Sequence, residues 1–416
     1  MKVGEVVDYQ PSVTRSRPGS PTCTTGPRPP LTAQYSATIP AKRTDVRLPG
    51  CLSYFSSTMP LDTIYLTRHG HRLNWTIDFR TGEYRAQFPT PTGNPADPAL
   101  TSHGVRQSHE LAAHMSAPEF HPKPFRVYSS PFYRCLATIQ PSVEALMRIA
   151  AEQGHNGSKG NGKGGIEEGA MLAVRLENGL GEWFGPTTFF THPSHPTPAE
   201  MHQHFPTLVH PPGKDTYKPL LYPSTRGETI IQLHNRLATV LEGIIADVDA
   251  EITAIEADLP PQKRTSKSLL ICSHAAPLIA MGRALTGCMP EDSSVEDFAV
   301  FTAGLSTFRR RGVGIDVDMG KSGHGQRGEE GEGNLAGGTK ILRGSTGVPD
   351  WPNGRGVGGG WDCVSNGDCS FLSGGAERGW HFNGEEGFDT GPMAPPSDTS
   401  SGLSSTLESS RSGTKL

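Results

Sequence analysis

Between Thr63 and Arg310 the sequence alternates short β-rich runs with segments of helical period, and few architectures accept that alternation. The runs Thr63–Thr67, Phe125–Ser129, Ala173–Leu176 and Ser268–Cys272 have the composition and length of buried strands. Between them, apolar residues recur every three or four positions. Leu111 and Met115 do so in 101–116, and Leu136, Ile139, Val143, Leu146 and Ile149 in 131–150. Ile230, Leu233, Leu237, Leu241 and Ile245 do the same in 227–258. A further helix is predicted from Pro277 to Leu285, and Thr101 or Ser102 is the expected cap of the first one. Residues 298–310 read as a strand pair or one bent strand. Strands alternating with helices predict an α/β fold, a three-layer α/β/α sandwich around a mostly parallel sheet.

The flanks cannot extend that core. Hydrophobic residues make up only 34% of the chain, against 50 Gly and 36 Pro, which concentrate the foldable part in 59–311. Residues 1–58 are predicted to be a disordered extension, and a start at Met59 would lose nothing structural. Their basic, Ser/Thr-rich character hints at a transit peptide, but their prolines oppose an amphipathic helix. Residues 154–169 read as a flexible insertion, 312–360 as a Gly-rich linker and 390–416 as a disordered tail. Residues 361–389 read as a small β module, a meander over 361–382 with two tryptophans. It is too short to fold alone, so it should pack on the main domain or on a partner.

A formal charge of −4 gives no reason to expect direct nucleic-acid binding. Seven cysteines without a C-x-x-C pattern suggest neither a zinc site nor a disulfide framework, so a reduced, intracellular chain is expected. No apolar run approaches the ~18 residues of a membrane span, and the N-terminus lacks a secretory h-region. A cytoplasmic or nuclear location is therefore expected, without a membrane partner.

Four segments carry the chemistry, and most of them directly follow a predicted strand, where open α/β sheets place their ligand crevices. The first is Arg68-His69-Gly70, with Arg72 close behind. A histidine at a strand end between two arginines suits attack on a phosphate dianion, which the guanidinium groups neutralise and orient. Gly70 allows close backbone approach to the anion. The second, Ser129 to Thr138, puts Arg134 in the first turn of a helix whose N-terminus attracts anions. The third, Leu176 to Phe184, offers two carboxylates for proton transfer. Glu177 follows the strand directly and is favoured; Glu182 is expected to orient a backbone group or cap a turn. The fourth, Ser273-His274-Ala275, supplies a second histidine able to donate to a phosphate oxygen.

His192, His195, His202 and His204, in a Pro-rich loop, have spacings of three, seven and two that fit no metal motif; they are read as lining the substrate entrance. The glycine run at 356–360 lacks the Lys-Ser/Thr of a phosphate-binding loop. No metal and no cofactor is expected.

In this order the four segments resemble the histidine phosphatase superfamily, also called phosphoglycerate-mutase-like. Leu100, Thr101, Gly104 and Gln107, and Arg226-Gly227-Glu228 opening a helix, fit the same pattern. The resemblance implies His69 as phosphoacceptor, Arg68, Arg72, Arg134 and His274 as the phosphate pocket, and Glu177 as acid/base. Ala275 stands where acid phosphatases of the superfamily usually carry Asp, and Asn178-Gly179 where mutases usually carry other residues. Within the superfamily, the stretches RHGHRLNW, SSPFYRCLAT and GLGEWFG look most similar to the fungal tau 55 kDa subunit branch of transcription factor TFIIIC. The activity this resemblance implies is that of a metal-independent phosphomonoesterase acting on a phosphorylated small molecule or phosphoprotein. The alternative is a weakly catalytic or non-catalytic interaction subunit of a TFIIIC-like complex, bound through 361–389.

Overall fold

The computed structural model describes residues 61–155, 170–211, 213, 216–312, 334–344 and 347–383. The expectations for 1–58 and 390–416 lie outside the described residues, as does nearly all of the 154–169 insertion.

Six strands form the central sheet in the order β10-β8-β1-β7-β4-β5. Four of them, β1 (Leu61–Arg68), β7 (Lys267–Ser273), β4 (Pro124–Ser129) and β5 (Met171–Leu176), run parallel. β8 (Leu305–Arg310) is antiparallel to β1, and β10 (Trp361–Asp368) is antiparallel to β8. β4 and β7 are buried along their whole length, which is why they read as continuous apolar runs and not as alternating ones.

Helices cover both faces. On one, α1 (Ser102–Ser116) packs on α2 (Tyr133–His155), with Leu111, Met115, Leu136, Ile139 and Val143 turned to the sheet. On the other, α4 (Ile230–Glu256) packs on α5 (Ala275–Thr286) over Ile64, Leu66, Leu269 and Ile271. This is the three-layer α/β sandwich expected from the sequence. The caps are local: Thr101 Oγ1 accepts from Gly104 N, and Thr229 and Gln232 form a reciprocal box at the start of α4. No helix among the described residues is long and apolar enough to cross a membrane.

One short hairpin, one helix and one isolated strand pair lie outside the elements expected from the sequence. β2 (Trp75–Asp78) pairs with β3 (Glu83–Ala86), and α3 (Pro198–His204) sits within 185–222. β6 (Leu221–Tyr222) pairs with β9 (Lys340–Ile341). Residues 298–304 form no strand, so β8 alone accounts for the 298–310 segment. Four cysteines among the described residues, Cys135, Cys272, Cys363 and Cys369, are free thiols.

The C-terminal region corrects the expected domain organisation. In place of a separate meander, residues 361–368 add a strand to the central sheet, and 369–383 run on without a further strand. The described parts of 334–360 are packed and not a free linker: Trp351 and Val357 belong to the core over α4 and α5. The glycines there serve close approach. Gly356 has φ 69°, and a Cβ on it would lie 2.2 Å from the Leu285 carbonyl oxygen at the end of α5. Composition alone cannot distinguish such a strap from disorder.

Trp361 anchors the strap. Its side chain is fully buried, its Nε1 donates to Val357 O at 3.1 Å, and the Arg310 guanidinium lies 5.4 Å from its ring centre. Trp361→Ala is expected to lower the unfolding free energy by about 3–5 kcal/mol, whereas Val364→Ala on the exposed side of the same strand shifts it by about 0.5 kcal/mol or less. Urea denaturation checks this; equal, small effects at both positions would mean that β10 is not integral to the domain.

Candidate active site

The four parallel strands bring their carboxyl ends to one edge, and the backbone ladder continues past them. His69 N donates to Ser273 O, Ser130 N to Cys272 O and Glu177 N to Ser129 O, each at 3.0 Å. The residues following β1, β4, β5 and β7 are thereby locked together.

His69 is 2% exposed. Its Nδ1 lies 2.9 Å from Gly70 O, and only a protonated ring nitrogen can bond a carbonyl. The proton is therefore on Nδ1, and the lone pair is on Nε2. Burial, followed by the charges of Arg134, Arg68 and Arg72, holds the imidazole well below its usual range, so it is neutral at physiological pH. The loop after His69 is fixed from behind. Gly70 N donates to Thr138 Oγ1 at 2.8 Å and His71 N to Gln107 Oε1 at 2.9 Å. A Cβ on Gly104 would fall 2.0 Å from His71 O, which requires glycine there.

Arg134 is fully buried. Its Nη1 donates to Ala96 O at 2.9 Å and to Asp97 Oδ1 at 3.2 Å, and its Nη2 donates to Glu182 Oε2 at 3.2 Å. The same Nη2 is 3.1 Å from His274 Nδ1. Since arginine cannot accept, Nδ1 takes that bond as acceptor and His274 Nε2–H donates to Ser130 Oγ at 2.8 Å. Burial, then Arg134 and His69, holds His274 well below its usual range. Arg68 and Arg72 are half-buried beside them; desolvation lowers them to about 10 and about 9, so both remain cationic at neutral pH. The Nε atoms of Arg68 and Arg134 are buried without a hydrogen-bond partner.

The two carboxylates exchange the places expected for them. Glu177 does not enter the cleft. It caps the 3₁₀ turn Asn178–Leu180 and accepts from Gly179 N at 2.9 Å, Leu220 N at 2.7 Å and Tyr217 Oη at 2.7 Å, all within the α4 layer. Burial raises its pKa, and these donors oppose the shift. Glu182, five residues on, turns back into the cleft: it offers one ligand atom in a group with His69 and His274 whose atoms lie within 4.8 Å of one another. Its Oε1 accepts from Trp183 N at 3.1 Å, so it also has the orienting role expected of it. The turn following β5 decides which carboxylate faces inward, and sequence order alone does not reveal that. The same trio could hold a metal ion, but the three neighbouring guanidinium groups favour an anion at that point. Asp97, buried against Arg134 and accepting from Tyr133 N at 2.9 Å, carried no sequence signal. Ser130, the partner of His274, was not separated from its segment either.

Beside Glu182 opens a cavity of about 470 Å³. Phe184, His192, His195 and Tyr222 line it, with Lys340 and Leu342 from the β9 segment. Phe184 and His192 stack with centroids 4.7 Å apart. Of the four loop histidines, His192 and His195 thus face the cleft region; His202 and His204 sit on α3, away from the lining. Tyr84 of β3 reaches His192 Nδ1 at 2.5 Å, joining the hairpin to this wall.

A histidine at the end of β1 beside three arginines, with a carboxyl group and a second histidine opposite, offers a nucleophile, anion-binding charge and a proton carrier in one place. Residues 64–153 match the family model of the histidine phosphatase superfamily (branch 1). Among curated proteins, the chain is 30% identical over 233 residues to the transcription factor tau 55 kDa subunit of Saccharomyces cerevisiae, covering 55% of this chain. It spans less than half, 42%, of that relative's length. Among solved structures, the ecdysone phosphate phosphatase of Bombyx mori in complex with tungstate is 18% identical, with a TM-score of 0.40, over 60% of this chain and 89% of that one. A mycobacterial glucosyl-3-phosphoglycerate phosphatase is 16% identical, with a TM-score of 0.30, over 60% and 90%.

Proposed function

We propose that the chain is a phosphomonoesterase working through a phosphohistidine on His69. The observation that carries this reading is the neutral, Nδ1-protonated His69 facing Glu182 and His274 between arginines. His69 Nε2 attacks phosphorus and the ester P–O bond breaks. Glu182, as the acid, gives its proton to the leaving oxygen. Water then attacks the phosphohistidine, Glu182 takes the water proton, the N–P bond breaks, and orthophosphate leaves with His69 restored. Arg68, Arg72 and Arg134 neutralise the phosphoryl oxygens. A tautomer shift that moves the His274 proton from Nε2 to Nδ1, with the Ser130 hydroxyl then donating to Nε2, would let Nδ1–H serve a phosphoryl oxygen in place of accepting from Arg134. The cavity beside Glu182 provides room for the leaving group.

Hydrolysis of para-nitrophenyl phosphate in EDTA checks the roles. His69→Ala is expected to abolish turnover, and Glu182→Gln to lower kcat by about 10²–10⁴-fold. Glu177→Gln should lower stability while the folded fraction retains turnover. A folded Glu177→Gln protein without turnover, with Glu182→Gln active, would return the acid role to Glu177.

A second reading is supported by the likeness to the tau 55 kDa subunit: membership of a nuclear TFIIIC-like complex, with a protein partner on residues 361–389. β10 is the terminal strand of the sheet and carries Val364 at 57% exposure, a suitable edge for such a partner. The two readings are compatible. Affinity purification of the full chain is expected to recover other subunits of that complex, and Val364→Asp to reduce their yield. Recovery of none would remove this reading.

A further inference from the structure

After β10 the chain returns to the residues that flank His69. On the side of Arg68, the Nη1 group donates to Val300 O at 2.8 Å and to Arg378 O at 2.5 Å, and Ala303 N donates to Arg68 O at 3.2 Å. Ala303 is buried with φ 55°, a conformation that few non-glycine residues adopt, and Thr302 N beside it donates to Glu377 O at 3.1 Å. On the side of His71, Gln107 Oε1 accepts from His71 N at 2.9 Å. The other end of that amide, Nε2, donates to Glu377 Oε2 at 3.3 Å and to Thr302 Oγ1 at 3.1 Å. Glu377 thus reaches both flanks of the His69 loop, one through its carbonyl and the other through its carboxylate.

The carboxylate decides which way Gln107 points. The two ends of a glutamine amide have nearly the same shape, so its orientation follows from the groups around it. His71 N can only donate. The Thr302 hydroxyl can donate or accept, and is compatible with either orientation. A carboxylate only accepts, so it takes the NH2 end and leaves the oxygen for His71. Reversed, two N–H groups would face each other and the clamp on His71 would be lost. The carboxylate is itself held in place. His103 Nδ1 lies 2.5 Å from Arg106 Nη2, which can only donate, so His103 Nε2 carries the proton and donates to Glu377 Oε2 at 2.5 Å. A Cβ on Gly374 would fall 2.3 Å from Glu377 Oε1, so glycine there makes room for the carboxylate.

We infer that Glu377 is a positioning residue for phosphoryl transfer: by fixing the orientation of Gln107, it holds the His69 loop in the geometry of attack. This rests on the phosphoryl-transfer reading above, and it makes turnover dependent on the segment that follows β10.

The full chain is assayed with para-nitrophenyl phosphate, and kcat and KM are resolved for each variant. Glu377→Ala admits water, which donates as readily as it accepts and leaves Gln107 free to turn. It is expected to lower kcat about 10- to 100-fold with KM little changed, because the arginines still hold the phosphate while the line of attack is lost. Glu377→Gln offers an amide oxygen at the same position and should recover most of kcat. Glu377→Asp, whose carboxylate stops a methylene short, carries the same expectation as Glu377→Ala should that variant not fold. Ser373→Ala releases a different bond of the same segment, from Ser373 Oγ to Glu110 Oε1, and should leave kcat unchanged. A folded Glu377→Ala with wild-type kcat overturns the inference, as does a Glu377→Gln no better than Glu377→Ala, or an equal loss in Ser373→Ala. A wild-type chain without turnover overturns the phosphatase reading itself.

Discussion

The buried guanidinium of Arg134 sets the terms for the rest of the site. A charge without solvent needs ionic and hydrogen-bonding partners, because a buried ion stripped of its counter-ion is strongly destabilising. Asp97 and Ala96 O meet it from the α1 side, Glu182 from the turn after β5, and His274 from the end of β7. Each of these comes from a different segment, and the parallel sheet is what brings their carboxyl ends to one edge. Burial first, and the same charge second, keep His69 and His274 neutral, which leaves a lone pair on His69 Nε2.

Much of the fold was legible because its signals are local. Buried parallel strands write themselves as short apolar runs, and α1, α2, α4 and α5 as three- and four-residue periods. The positions of His69 and His274 follow for a related reason: each directly succeeds such a run, so placing the strand places the side chain. The failures have the opposite character. Whether Glu177 or Glu182 faces the cleft depends on the 3₁₀ turn between them and on donors at Tyr217 and Leu220, some forty residues away. Asp97 matters only because Arg134 reaches it. The strap over α5 is glycine-rich and short of periodicity, so its composition resembles disorder although Trp351 and Val357 lie in the core.

The C-terminal region changes how the molecule is to be regarded. β10 extends the sheet, the segment before it covers α5, the β9 segment walls the cavity beside Glu182, and the strap after it bonds Arg68. Residues far from His69 in sequence thus border the cleft on two sides. A partner that engaged the outer edge of β10 would grip the element that leads directly into the strap. The proposed assembly role and the proposed phosphoryl-transfer role would thus be joined by a continuous piece of chain.

The central claim is that His69 Nε2 becomes covalently bonded to phosphorus. Rapid quenching during para-nitrophenyl phosphate turnover, under alkaline conditions that spare the N–P bond, followed by mass spectrometric mapping, tests it most directly. The account predicts a phosphoryl group on His69 that is absent from the unreacted chain. Turnover with His69 unmodified and the phosphoryl group on another residue, or with no phosphoenzyme under conditions that trap one in a known phosphohistidine enzyme, would contradict it.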